Sequence, residues 1–203
     1  GNVTRNGYKE EFRIAKDKIK KLKFPYLIVP GYTDSKPPYW DYWRQNFGEF
    51  DPLFESDLLY FQGFNSTTRD STEGYIGRRK MEKFINRVLS YSHEKVFGVC
   101  CFHSLIPTPL SVWRTELIDS GDLLSQFARS QIDLCLNSSP SISFNVKIDY
   151  TIFSNGGNLN PERFDEVIIE IEIYKEGHII LKEHNLKTGH VRTIGTYNIT
   201  IFI

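Results

Sequence analysis

Residues 166–181 read EVIIEIEIYKEGHIIL, and this stretch decides the fold class. Val167, Ile169, Ile171 and Ile173 alternate against Glu166, Glu170 and Glu172, the period-two pattern of a strand with one dry face and one wet face. Lys175-Glu176-Gly177-His178 then predicts a hairpin turn into a second strand beginning at Ile179. Residues 185–189 supply another turn, after which Tyr197, Ile199, Ile201 and Ile203 fall on one face. Upstream, Phe144, Val146, Ile148, Tyr150 and Ile152 alternate with Asn145, Lys147, Asp149 and Thr151, which predicts one continuous strand broken at residues 155–158. Residues 140–203 are therefore expected to form an antiparallel sheet.

The part before Pro140 has a different rhythm. Tyr8, Phe12, Ala15, Ile19 and Leu22 recur at helical spacing and predict a helix over 8–22, with lysines on its other face. That basic face suits solvent, or an acidic lipid or protein surface. Residues 26–29 (YLIV) read as a short buried strand, 39–48 as a helix, and 57–64 as a second strand. A helix over 73–91 follows, with Ser71 or Thr72 as N-cap, then an apolar strand over 95–102. A last helix is expected over 123–136, capped by Asp122. The prediction is an α+β fold, with an N-terminal strand/helix alternation over 1–139 packed with the C-terminal antiparallel sheet as a single domain.

Composition narrows the function classes. The chain has 203 residues, of which 40% are apolar and 14% aromatic, enough to fold around a core without disulfides. With 25 basic and 25 acidic residues, it lacks the cationic surplus of a dedicated nucleic-acid binder. No apolar run approaches a membrane span. The chain starts at Gly1 and its one methionine is Met81, which reads as an excised or processed piece. Of the three cysteines, Cys135 could pair with Cys100 or Cys101, but three free thiols are expected. Four N-x-S/T sequons lie at Asn2, Asn65, Asn137 and Asn198, where random placement would supply about one or two. This excess points toward a glycoprotein of the secretory pathway, with Asn65 and Asn137 expected in loops.

Residue spacing bears on three chemistries. Residues 27–43 (LIVPGYTDSKPPYWDYW) resemble the opening strand and loop of small α/β-hydrolase-like serine hydrolases. The resemblance implies a nucleophile after a later strand, which places Ser104 in that role and draws an acid and base from Asp165 and His184 or His190. The chain departs from the family's G-x-S-x-G elbow, having Phe102 and Ile106 where the glycines belong. His178, His184 and His190 match no metal-ligand spacing, so no metal is expected. Glu172 and Lys175 are three residues apart and so face opposite sides of a strand, which excludes a nuclease-type acid cluster. No phosphate-cradling glycine loop occurs, and no cofactor is expected.

What remains is recognition. Tyr39, Trp40, Tyr42 and Trp43 crowd beside Pro37-Pro38, and large aromatic side chains with few rotamers favour contact surfaces. The same segment would serve equally as a lid that fills core. The expected function is a non-enzymatic binding or interaction domain with a protein partner or self-association, and the alternative is a serine hydrolase using Ser104.

Overall fold

The computed structural model describes residues 1–36, 40–69, 71–91, 95–108, 117–139, 142–156 and 166–200. The chain is α+β. Helix α1 (Lys9–Ile19) opens where Glu11 accepts the backbone N–H groups of Asn6 and Tyr8 at 3.0 and 3.1 Å, satisfying donors that helical bonding leaves free. It buries Phe12 against helix α2 (Trp40–Phe47), where Phe12, Trp43 and Phe50 make a small aromatic core.

Strands β1 (Leu53–Glu55), β2 (Leu59–Gly63), β3 (Val96–Cys101), β4 (Leu134–Asn137), β5 (Phe144–Ile148) and β6 (Thr151–Asn155) form one mixed sheet in the order β1-β2-β3-β4-β6-β5. The run β2-β3-β4-β6 is parallel, and β1 and β5 pair antiparallel at its edges. Helix α3 (Arg78–Leu89) crosses from β2 to β3, and α4 (Ser120–Ser130) crosses from β3 to β4. Crossovers of one hand put both helices on one face of the sheet. There Met81, Phe84, Ile85 and Val88 of α3, at helical spacing, and Leu123 and Phe127 of α4 pack on Phe97, Val99, Cys135 and Phe153. Asp119, at the N-cap of α4, also binds the start of α3, accepting from Gly77 N–H at 2.8 Å and Ile76 N–H at 3.4 Å. One carboxylate thus registers two helices against each other.

The opposite face is covered by a second sheet, β7 (Val167–Ile173), β8 (His178–Asn185) and β9 (Val191–Asn198), antiparallel in that order. Ile179 and Leu181 of β8 are fully buried between the sheets with Phe61, Val96, Leu134 and Ile152, flanked by Ile169, Ile171 and Ile173. Gly98 is required here because a Cβ would stand 2.2 Å from the ring of Phe61 on the neighbouring strand. The outward face of β7 and β8 carries Glu170 with His184 (2.7 Å) and Glu172 with Lys182, as its polar alternation requires.

Residues 26–29 form no strand. Only Val29 among them is buried, and no strand among the described residues pairs with them. The helix expected over 73–91 starts at Arg78 behind Gly77, whose φ of +94° is a turn conformation, so neither Ser71 nor Thr72 caps it. The helix expected over 123–136 ends at Ser130, with Gln131 in the left-handed region, and Leu134–Asn137 become a strand in the parallel run. The strand expected over 143–152 is a hairpin that turns at Asp149 (φ +51°), and both arms join the larger sheet.

Candidate functional site

Open α/β sheets bind ligands outside the carboxyl ends of their parallel strands. In this chain those ends are Gly63, Cys101, Asn137 and Asn155, and the residues just beyond them are polar and buried: Asn65, Ser66, Thr67, His103, Ser104 and Ser139.

His103 is the centre of this cluster. Its ring is fully enclosed, and a Cβ on Gly74 would stand 2.4 Å from its Cγ, so the 64–74 loop closes directly on the imidazole. Nε2 lies 3.1 Å from the Thr72 carbonyl, which can only accept, so Nε2 carries the proton. Nδ1 then accepts from the Ser66 hydroxyl at 2.9 Å, and the Ser66 oxygen in turn accepts the His103 backbone N–H at 3.2 Å. Burial pushes the imidazole pKa down to about 4, against weaker support for the charged form from Thr72 and Ser66. A neutral histidine with both nitrogens occupied is a clasp for the loop.

The neighbours are bonded in the same manner. Asn65 Oδ1 accepts from the Thr67 backbone N–H and hydroxyl (3.0 and 2.6 Å), and its own N–H donates to Asp51 at 2.7 Å. Asp51 also pairs with Lys80 at 2.8 Å. Asn137 donates to Ser139 Oγ at 3.1 Å. Nearby, the buried carboxylate of Asp34 accepts from the backbone of Val3, Thr4 and Gly31 and from the Thr4 hydroxyl, at 2.7–3.1 Å. The N-terminal segment is thereby tied over this side of the molecule. Among the described residues no three His, Cys, Asp or Glu side chains converge as metal ligands.

The sequence candidates fall as follows. Ser104 is fully buried, its hydroxyl donating to the Ile106 carbonyl at 2.7 Å, and the adjacent His103 faces Ser66 and Thr72 instead. His184 meets Glu170 on the outer sheet, so it is not gathered with Ser104, and Asp165 lies outside the described residues. Tyr39 also lies outside them. Trp43 is fully buried, stacked on Phe50 and tilted against Phe47, while Trp40 and Tyr42 are half-buried beside it. Trp40 donates from Nε1 to the Ser35 carbonyl at 2.7 Å, and the guanidinium of Arg69 lies 5.5 Å from its ring centre. Asn2 and Asn198 are exposed, whereas Asn65 and Asn137 are buried. All three cysteines are free thiols, two buried and Cys100 half-buried.

Sequence reasoning missed the His103–Ser66–Thr72 clasp. The signal was a histidine directly after an apolar strand, opposite a small-residue loop, and it was absorbed into the reading of Ser104. A cleft of about 370 Å³ between α3 and α4 was also missed; it is lined by Arg78, Glu82, Ile85, Leu89, Gln126 and Arg129. No helix among the described residues is long and apolar enough to cross a membrane.

No protein-family model and no curated protein matches the sequence. Solved structures resemble the fold. One crystal structure, 10% identical, covers 95% of this chain and 72% of its own length with a TM-score of 0.53. GAP50, the anchor in the inner membrane complex of Plasmodium, is 16% identical, with 75% of this chain and 53% of that chain covered and a TM-score of 0.46. A Vps29 variant from Entamoeba histolytica is 10% identical over 69% of this chain and 99% of its own, with a TM-score of 0.32. At these identities the first likeness speaks to the fold alone.

Proposed function

We propose that this chain is a non-enzymatic interaction domain whose partner is a protein or a second copy. The observation that supports this reading is the saturation of the strand-end cluster. His103, Ser66, Asn65, Asn137 and Asp34 are each held by neighbours within the chain, and Ser104 is enclosed. A general base needs a free nitrogen or oxygen within reach of substrate, and a nucleophile needs an adjacent base. These side chains meet neither condition, so their chemistry serves to fix loops. Trp40 and Tyr42, half-buried on α2 over the Trp43 core, are the contact residues of this reading.

A fluorophosphonate probe reports on any activated serine. The expected result is no labelling of the folded protein, together with concentration-dependent association or partner capture that weakens in Tyr42→Ala when measured well below that variant's own melting midpoint. Stoichiometric labelling that disappears in Ser104→Ala would overturn the reading in favour of a hydrolase.

A further inference from the structure

We propose that the segment running from the end of α1 to Tyr26 is a docking surface for an anionic lipid bilayer. Past Ile19 the chain reads Lys20-Lys21-Leu22-Lys23-Phe24-Pro25-Tyr26, and all seven residues are exposed. Leu22, Phe24 and Tyr26 are 42%, 63% and 49% exposed. A connector between two packed elements does not require three large apolar side chains in water, and the chain turns inward immediately afterwards, at Leu27, Ile28 and Val29.

The basic residues around these side chains differ in their partners. Arg13 is bracketed by Glu10 and Asp17, and Lys16 donates to the Gln45 carbonyl at 3.1 Å. Among the described residues no carboxylate lies within ion-pair distance of Lys18, Lys20, Lys21 or Lys23. Cations interleaved with exposed aromatic and aliphatic side chains complement an anionic membrane surface in two ways. Each lysine near the headgroups strengthens binding about fivefold. The apolar side chains enter the boundary between headgroups and acyl chains, while the flexible lysine stems keep their ammonium groups at the phosphates. A peptide partner would need to bring a recess to each protruding ring, whereas a bilayer needs only the protrusions and the charge. The surface is separate from the strand-end cluster and stands whether or not the domain is an enzyme.

The test is cosedimentation with phosphatidylcholine vesicles prepared with and without phosphatidylserine. The protein is expected to sediment only with the phosphatidylserine vesicles, and less as salt is raised. Lys21→Gln/Lys23→Gln should lower the partition coefficient roughly 25-fold, two lysines at about fivefold each. Phe24→Ser/Tyr26→Ser should lower it by about tenfold or more, as the buried rings are lost. Both double variants change exposed positions, so their melting midpoints should match the unmodified chain. The proposal is overturned by no sedimentation with phosphatidylserine vesicles, by equal binding to neutral vesicles, or by undiminished binding of either variant. Capture of an acidic peptide or a single-stranded oligonucleotide by these residues, with vesicles unbound, would equally overturn it.

Discussion

His103 and Asp133 give this molecule two opposed responses to pH. His103 is buried and neutral, its pKa lowered from 6.5 to about 4, so the unfolded chain binds a proton first as pH falls. Its contribution to stability is present above about pH 6.5 and is lost toward pH 4. Asp133 sits at the start of β4, accepting the Phe97 N–H at 2.9 Å, and burial raises its pKa from 3.8 to about 7. Here the unfolded chain releases its proton first, so the contribution is present below about pH 4 and is lost as pH rises to about 7. The two slopes oppose each other across the same window. Asp133→Asn keeps an acceptor for Phe97 and removes the second slope. Urea titrations of this variant should show stability rising with pH between about 4 and 6.5, and greater stability than the unmodified chain at pH 8. An unchanged pH profile would mean that Asp133 is ionised in the fold. The cysteines offer a separate check: burial pushes the Cys100 thiol up to about 12, and a hydrogen bond with the Cys101 side chain, together with burial, raises Cys135 well above its ordinary value. Thiolate is the reactive form, so a disulfide reagent should label these two at once in denaturant and very slowly in the native protein.

Helix α2 separates two readings of the aromatic run. Trp43 is fully enclosed by Phe12, Phe47 and Phe50, so Trp43→Ala should destabilise by about 3–5 kcal/mol, measured by thermal or urea unfolding. A midpoint unchanged in Trp43→Ala would place that ring at the surface. The density of aromatic residues was readable in the sequence, but whether they meet one another or a partner depends on α1 lying across them, a contact that no local pattern encodes. The same limit explains the other departures. The β7–β8 hairpin was readable because alternation and a Gly177 turn act within one short stretch. Strand β4 was not, because Leu134–Asn137 follows a helix with no Gly or Pro between them, and its strand geometry comes from β3 and β6 on either side. Alternation that runs on to Ile152 hid a hairpin. The two-residue turn pairs Ile148 with Thr151 and so reverses the odd–even pattern, which leaves Phe144 and Phe153 toward the helices and Ile152 toward the second sheet. With both faces of β6 covered, its sequence carries no mark of the reversal. The His103 clasp was not legible because its partners Ser66 and Thr72 lie more than thirty residues away.

Considered whole, the molecule is a helix pair, a mixed sheet and an antiparallel sheet stacked in that order, and its exposed sites follow from the stacking. The sequons illustrate this. Asn65 and Asn137 lie where the strand ends close, 6% exposed each, while Asn2 and Asn198 lie at the surface. In a secretory host, glycan-dependent mass on the folded, secreted protein is expected at Asn2 or Asn198 by peptide mapping, with Asn65 and Asn137 unmodified. Secreted native protein glycosylated at Asn137 would contradict the placement of β4. The stacking also bears on whether residues 1–139 and 140–203 fold as one domain. The larger sheet takes strands from both parts, and the cluster between the sheets joins Phe61, Val96 and Leu134 to Ile179 and Leu181. If that shared core makes the chain one cooperative unit, a cavity in β8 must destabilise the distant tryptophans as well. All three tryptophans precede residue 140, so their fluorescence reports on the first part, while far-ultraviolet circular dichroism reports on both. Leu181→Ala should cost about 2–5 kcal/mol and move both transitions to the same lower midpoint. If the fluorescence transition stays in place while dichroism loses signal earlier, β7, β8 and β9 unfold on their own and the chain contains two folding units.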